Sequence, residues 1–158
     1  MYAPTIPATT ERVPKHTAEE VNERIRRETE GNVARYASGS SQAIERRLRE
    51  LDEEWDIERT LEANAATVAL IGSLLGATVD KRFFVLPAVV AGFLLQHAVQ
   101  GWCPPLSLFR RRGVRTSMEI DRERYALKAL RGDFRNISES SNPASGSRAT
   151  SALQAVRR

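Results

Sequence analysis

Two apolar runs dominate the middle of the chain, Leu61 to Val79 and Phe83 to Trp102, separated only by Asp80-Lys81-Arg82. Glu62 and Asn64 interrupt the first run near its start, and His97 is the one ionisable residue of the second. Each is close to the ~20 residues a helix needs to cross a hydrocarbon core of about 30 Å. The intervening triad is long enough for a tight turn and nothing else. The pattern therefore predicts an all-α protein built on a two-helix transmembrane hairpin, residues 61–109, with charged cytoplasmic helices on either side and disordered termini.

Mean hydropathy is negative over the 158 residues. The average is misleading, because the apolar residues are concentrated in the centre and ends rich in Arg and Glu dilute them. Without the central block little remains to build a core. The net charge of +4 is mild. It lacks the dense basic face with interleaved aromatics of a nucleic-acid binder, so no nucleic-acid partner is expected. The basic excess is local: Arg110, Arg111, Arg112 and Arg115 follow the second run and are expected to face anionic lipid, with Trp55 and Trp102 as interfacial anchors. The Lys and Arg count favours cytoplasmic termini, although Lys81 and Arg82 lie on the opposite side. No signal peptide is read at the start, since Met1 to Pro14 is rich in Pro and Thr.

Outside the spans, residues 1–40 read as disordered chain plus one short charged helix. Thr17-Ala18-Glu19-Glu20 has the form of a capping box, and Gly31 is expected to end the helix it starts. Helix is expected again from Ser41, running unbroken into the first span. Ile44, Leu48, Leu51 and Trp55 share one face of that segment, 41–60, for use on the membrane surface, on a partner, or on the chain's own helices. Pro104-Pro105 should close the second span. Thr116-Ser117-Met118-Glu119 is a second capping box, opening a short helix within 116–134 that Gly132 would end. Residues 135–158 read as a disordered tail.

Gly72 and Gly76 form a Gly-x-x-x-Gly pair on the first span, and Ala88 and Gly92 a looser small-residue pair on the second. Packing within the hairpin, packing between copies, and chance all remain open. Gln96, Gln100 and Cys103 fall at i, i+4, i+7 of the second span with His97 beside them, and the fold of the hairpin places Asn64 and Thr67 at similar depth. Polar side chains in lipid need partners. Interhelical hydrogen bonds, a small polar ligand or thiol site, or a plain headgroup location would each provide them. A metal site lacks ligands and no cofactor is expected. A Cys103–His97 pair is disfavoured, since a spacing of six puts the two on opposite sides of a helix. Cys103 is the only cysteine, so it forms no disulfide within the chain.

Gly101-Trp102-Cys103-Pro104-Pro105 closing the second run, Glu58-Arg59 before the first, and Gly72 or Gly76 within it resemble the YgaP-like inner-membrane domain family over about residues 57–109. The run Ile120 to Phe134 resembles an extension in a bacterial branch of such proteins. The resemblance implies a bacterial inner-membrane location, self-association, and no activity of the chain by itself. Some members carry a rhodanese domain ahead of the hairpin. Its absence from these residues implies that any sulfur chemistry would use Cys103 or a separate sulfurtransferase partner. The leading expectation is a self-associating membrane protein that presents its charged helices to a partner. Thiol or sulfur-anion handling at Cys103 stands against it, as does a soluble helical protein that buries the hairpin.

Overall fold

The computed structural model describes residues 7–135, 150, 152–154 and 156, and these contain helices and turns with no strand. In chain order the helices are α1 (Arg12–Lys15), α2 (Glu19–Ala37), α3 (Ser41–Glu53), α4 (Ile57–Thr78), α5 (Val85–Gln100), α6 (Leu106–Arg111) and α7 (Ser117–Arg131), with a 3-10 turn at Lys81–Phe84 before α5. Two stretches, one ending at Thr78 and one spanning Lys81–Gln100, are long and apolar enough to cross a membrane. The chain divides into two compact units. One comprises residues up to Arg27 with Trp55–Glu119, and the other Glu28–Glu54 with the described residues from Ile120 onward.

In the first unit α4 and α5 pack along each other. Gly72 and Gly76 are buried at this contact. A Cβ on Gly72 would come within 2.8 Å of Leu86 Cβ, and one on Gly76 within 2.9 Å of the Phe84 ring. Missing side chains are what make room on α4 for Leu86 and Pro87 of α5 and for the Phe84 ring of the 3-10 turn. Pro87 sits in the first turn of α5, where its missing N–H has no intrahelical acceptor to lose. Beyond that contact most apolar side chains point outward: Leu70 and Leu95 are 61% and 67% exposed. The buried apolar cluster lies at the far end, where Ile57 and Leu61 of α4 meet Val13, Cys103 and Leu106.

That cluster accounts for the ordered start of the chain. Disorder was expected through His16, yet Val13 is buried against Ile57 and Leu61, and α1 forms around it. Residues 1–6 of the expected disordered stretch lie outside the described residues. Thr17 does not cap α2. Its hydroxyl donates to the Val13 carbonyl at 2.9 Å, and the first turn of α2 returns instead to the Ala18 carbonyl. Gly31 does not end α2 either, because one glycine costs only about 1 kcal/mol in a helix of 19 residues. The break comes at Gly39, followed by Ser40, whose hydroxyl accepts from the Ala43 N–H at 3.2 Å and caps α3.

The helix from Ser41 is not continuous into α4. Asp56 caps α4 by accepting from the Arg59 N–H at 2.8 Å, and the Ile57 N–H donates to the Arg115 carbonyl at 2.8 Å. A side-chain cap and a long-range backbone bond satisfy donors that a through-helix would have used, and they fix a new starting direction. The second capping box forms as its spacing predicts. The Glu119 N–H donates to Thr116 Oγ1 at 3.2 Å, and Glu119 Oε2 accepts from the Thr116 N–H at 2.7 Å.

In the second unit Ile44, Leu48 and Leu51 of α3 are buried against Ile120 and Leu127 of α7, with Tyr36 beside them. Of the three uses open to this stripe, it serves packing within the chain, and Trp55 is not part of the cluster. Glu123 lies fully buried at the margin, where Arg47 Nε donates to it at 2.7 Å. Arg124 pairs with Asp121 and, at 3.1 Å, with Asp52. Gly132, at φ +90°, receives the end of α7. Of the expected disordered tail, 136–149, 151, 155 and 157–158 lie outside the described residues, while positions 150, 152–154 and 156 are helical.

Candidate functional site

The end of α5 is built by one glycine. Gly101 adopts φ +82° and its N–H donates to the His97 carbonyl at 2.7 Å. A Cβ here would lie 2.5 Å from the Arg12 carbonyl oxygen. The left-handed backbone and this close approach both demand glycine. Beyond it the chain reverses rather than continuing as a helix. The six-residue spacing of His97 and Cys103 therefore does not place them on opposite helix faces. Cys103 is buried in the cluster with Ile57, next in sequence to Glu58, the partner of His97. Both side chains are buried at the end of α5, and the helix stops there three residues before the prolines expected to stop it.

His97 and Cys103 are each only 4% exposed. His97 Nε2 lies 2.8 Å from Glu58 Oε2, and Glu58 Oε1 accepts from Arg12 Nη2 at 2.7 Å. Arg12 Nη1 donates to the Ala98 carbonyl at 3.0 Å. Each charge stands where a helix end favours it: Glu58 in the first turn of α4, and Arg12 against a late carbonyl of α5. With Nε2 engaged by Glu58, the other ring nitrogen, Nδ1, is left for another group. Nδ1 is buried and has no hydrogen-bond partner, and the same holds for Arg12 Nε. A thiol, a buried base and a carboxylate that orients the base are the components of an activated nucleophile. Among the described residues no three His, Cys, Asp or Glu side chains converge to hold a metal ion.

Cys103 also borders a cleft of about 360 Å³. Its wall is apolar, with Val68 from α4, Val90, Phe93 and Leu94 from α5, and Leu108 from α6. Only Asn64 interrupts it with a polar side chain.

A second ionic cluster lies at α6. Arg110 is fully buried, against the expectation that it faces lipid. Its guanidinium meets Glu119 at 2.7 and 2.8 Å, the Val114 carbonyl at 3.0 Å, Asn22 Oδ1 at 3.0 Å and Thr17 Oγ1 at 3.2 Å. All five N–H donors have a partner. Burial pushes the Glu119 carboxyl upward, but Arg110 and the Thr116 N–H outweigh it and hold it below the ordinary 4.5. Arg115 is buried as well, whereas Arg111 and Arg112 remain exposed.

The remaining expected residues separate. Asn64 Nδ2 donates to the Thr60 carbonyl at 2.8 Å and Thr67 Oγ1 to Ala63 at 2.7 Å, both within α4. No hydrogen bond joins them to Gln96 or Gln100 among the described residues, because a carbonyl four residues back lies closer than the neighbouring helix. Gln100 is exposed and Gln96 half-buried. Gly72 and Gly76 serve the α4–α5 contact, while Ala88 is exposed and Gly92 has open space at its Cβ position. Trp55 is 49% exposed with the Arg59 guanidinium 4.3 Å above its ring. Trp102 packs against the Val13–Ile57 cluster. Sequence reasoning missed Glu58 and Arg12 as members of the site. The signal for Glu58 was a carboxylate in the first turn ahead of an apolar run; Arg12 gave none.

No protein family, no curated protein and no solved structure matches this chain.

Proposed function

We propose that the chain is a two-span membrane protein, both ends cytoplasmic, that carries an activated thiol at the membrane border. The membrane part rests on where the apolar side chains point. A soluble protein would hide helices such as α4 and α5, yet Val68, Leu70, Leu74, Val85, Leu95 and Val99 all lie exposed. This argues against the soluble alternative. The Lys and Arg balance and the resemblance to YgaP-like domains support a bacterial inner membrane with cytoplasmic termini.

One observation carries the thiol: a buried His97, anchored by Glu58 at 2.8 Å, has an unpartnered nitrogen, and Cys103 is buried in the cluster with Ile57 beside Glu58. Proton transfer from Cys103 to His97 yields a thiolate beside an imidazolium that Glu58 stabilises. Such a thiol accepts a group from a donor, and this reading takes precedence over a purely presenting role. A small uncharged alkylating reagent tests it on the chain in liposomes. Cys103 of the wild type should react roughly tenfold faster at neutral pH than Cys103 of His97→Gln. Equal rates would refute the reading. Carbonate extraction tests the membrane part, and release of the chain into the wash would refute that.

Self-association is a second reading with its own observation. Ala88 and Gly92 form a small-residue strip on α5 that none of the described residues covers. Gly92→Leu should shift the detergent-solubilised particle to lower mass in sedimentation if this strip joins two copies.

A further inference from the structure

We infer that the cleft between α4, α5 and α6 binds a long acyl chain, and that Cys103 at its end takes the acyl group from a thioester. The inference rests on the thiol reading above and names its substrate class. A small polar sulfur species needs only access to the thiol, and it would leave the cleft unused. The cleft of about 360 Å³ falls within the ~300–1,000 Å³ of small-molecule sites. Its wall is formed by Val68, Val90, Phe93, Leu94 and Leu108, which suits hydrocarbon and little else. Its floor runs from Leu61 to Val68 along α4, about 10 Å at helical rise. All of these but Leu108 belong to the two apolar runs, whereas Cys103 stands just past the end of the second. A chain lying in the cleft would thus keep its tail at hydrocarbon depth and its carbonyl at the border beside Cys103, with His97 as the adjoining base.

The chemistry balances without a redox partner. Cys103 gives its proton to His97 and attacks the thioester carbonyl. The old carbon–sulfur bond breaks, and the departing thiolate takes the proton back. One thioester and one thiol become another thioester and another thiol. A phospholipid ester is a poorer donor, since an oxygen ester is more stable than the thioester it would form.

The full chain in liposomes, incubated with palmitoyl-coenzyme A or acetyl-coenzyme A and followed by intact-mass spectrometry, decides the matter. A hydroxylamine-sensitive palmitoyl adduct should form at least roughly tenfold faster than the acetyl adduct, and not at all on Cys103→Ser. Val68→Trp fills the cleft and should bring the ratio of palmitoyl to acetyl rates down to about one. Ala65→Leu, a milder filling, should act in the same direction. Equal palmitoyl and acetyl rates, or palmitoylation indifferent to both cleft variants, would overturn the acyl inference while His97-dependent alkylation left the thiol reading standing. Loss of that His97 dependence would remove the thiol reading itself.

Discussion

The first unit holds two ionic clusters of similar composition and opposite finish, each with a buried side chain at its centre. At α6, Arg110 has a partner for every donor, and Glu119 answers it with both oxygens while also closing the cap of α7. At the end of α5, Glu58 engages both Arg12 and His97, but Nδ1 of His97 and Nε of Arg12 are left without partners. Buried polar atoms are nearly always satisfied, and an exception calls for a reason. A fully bonded arginine has no capacity left for a ligand, so its role is to hold elements in place. A half-bonded imidazole beside a thiol has a valence to offer. The difference separates a fastening from a site more clearly than charge does, since both clusters are charged.

The comparison can be broken most forcefully at Arg110. Arg110→Met leaves the Glu119 carboxylate inside without its counter-ion and should cost about 3–5 kcal/mol, read as a lower thermal midpoint in detergent. Arg110→Met with Glu119→Gln should recover part of that loss, because the stranded charge is gone. Gly101→Ala comes next. It forces a side chain into the left-handed region and onto the Arg12 carbonyl, at a cost of roughly 1–3 kcal/mol. It should also slow Cys103 alkylation, because the same turn sets the thiol beside His97.

Acid should distinguish the clusters more gently. The Glu119 pKa is lowered in the folded chain, so its contribution to stability is complete above the unfolded value near 4.5. That contribution is lost as pH falls through the lower folded value. Thermal midpoints between neutral pH and pH 3 should therefore fall less steeply in Glu119→Gln than in the wild type. A matching slope would mean that Arg110 does not hold the carboxylate ionised. The smallest effect on stability is expected at Glu58→Gln. Its pairs are about one-third exposed on the Glu58 side, and such pairs contribute about 1 kcal/mol or less. Alkylation of Cys103 should nevertheless slow several-fold, a separation of reactivity from stability that the Arg110 variants should not show.

What could be read in the sequence followed periodicity and local chemistry. Two long apolar runs, the Thr116–Glu119 box and the Ile44–Leu48–Leu51 stripe are local patterns, and helices stand at each of them. The misses have a common cause, which is that one long-range contact outweighs a local rule. Val13 gains burial against Ile57 and Leu61, so chain expected to be loose forms a helix. Asp56 and the Arg115 carbonyl interrupt a segment whose propensity alone would carry it through. Arg110 sits in a run of arginines that reads as a lipid-facing patch, and only the spatial arrival of Asn22, Thr17 and Glu119 turns it inward. The candidate site was half readable. Cys103 and His97 were marked by their chemistry, but their burial at the end of α5 depends on Gly101 taking a left-handed turn ahead of two prolines that hid it.

The polar side chains of α4 carry a consequence for how the protein is made. Asn64, Thr67, Ser73 and Thr78 each donate to the carbonyl four residues earlier, at 2.7–2.8 Å. None of them waits on α5 for a partner. In the two-span protein proposed above, the first span would thus enter lipid already satisfied while its companion is still on the ribosome, and pairing through Gly72 and Gly76 would follow insertion as a separate event.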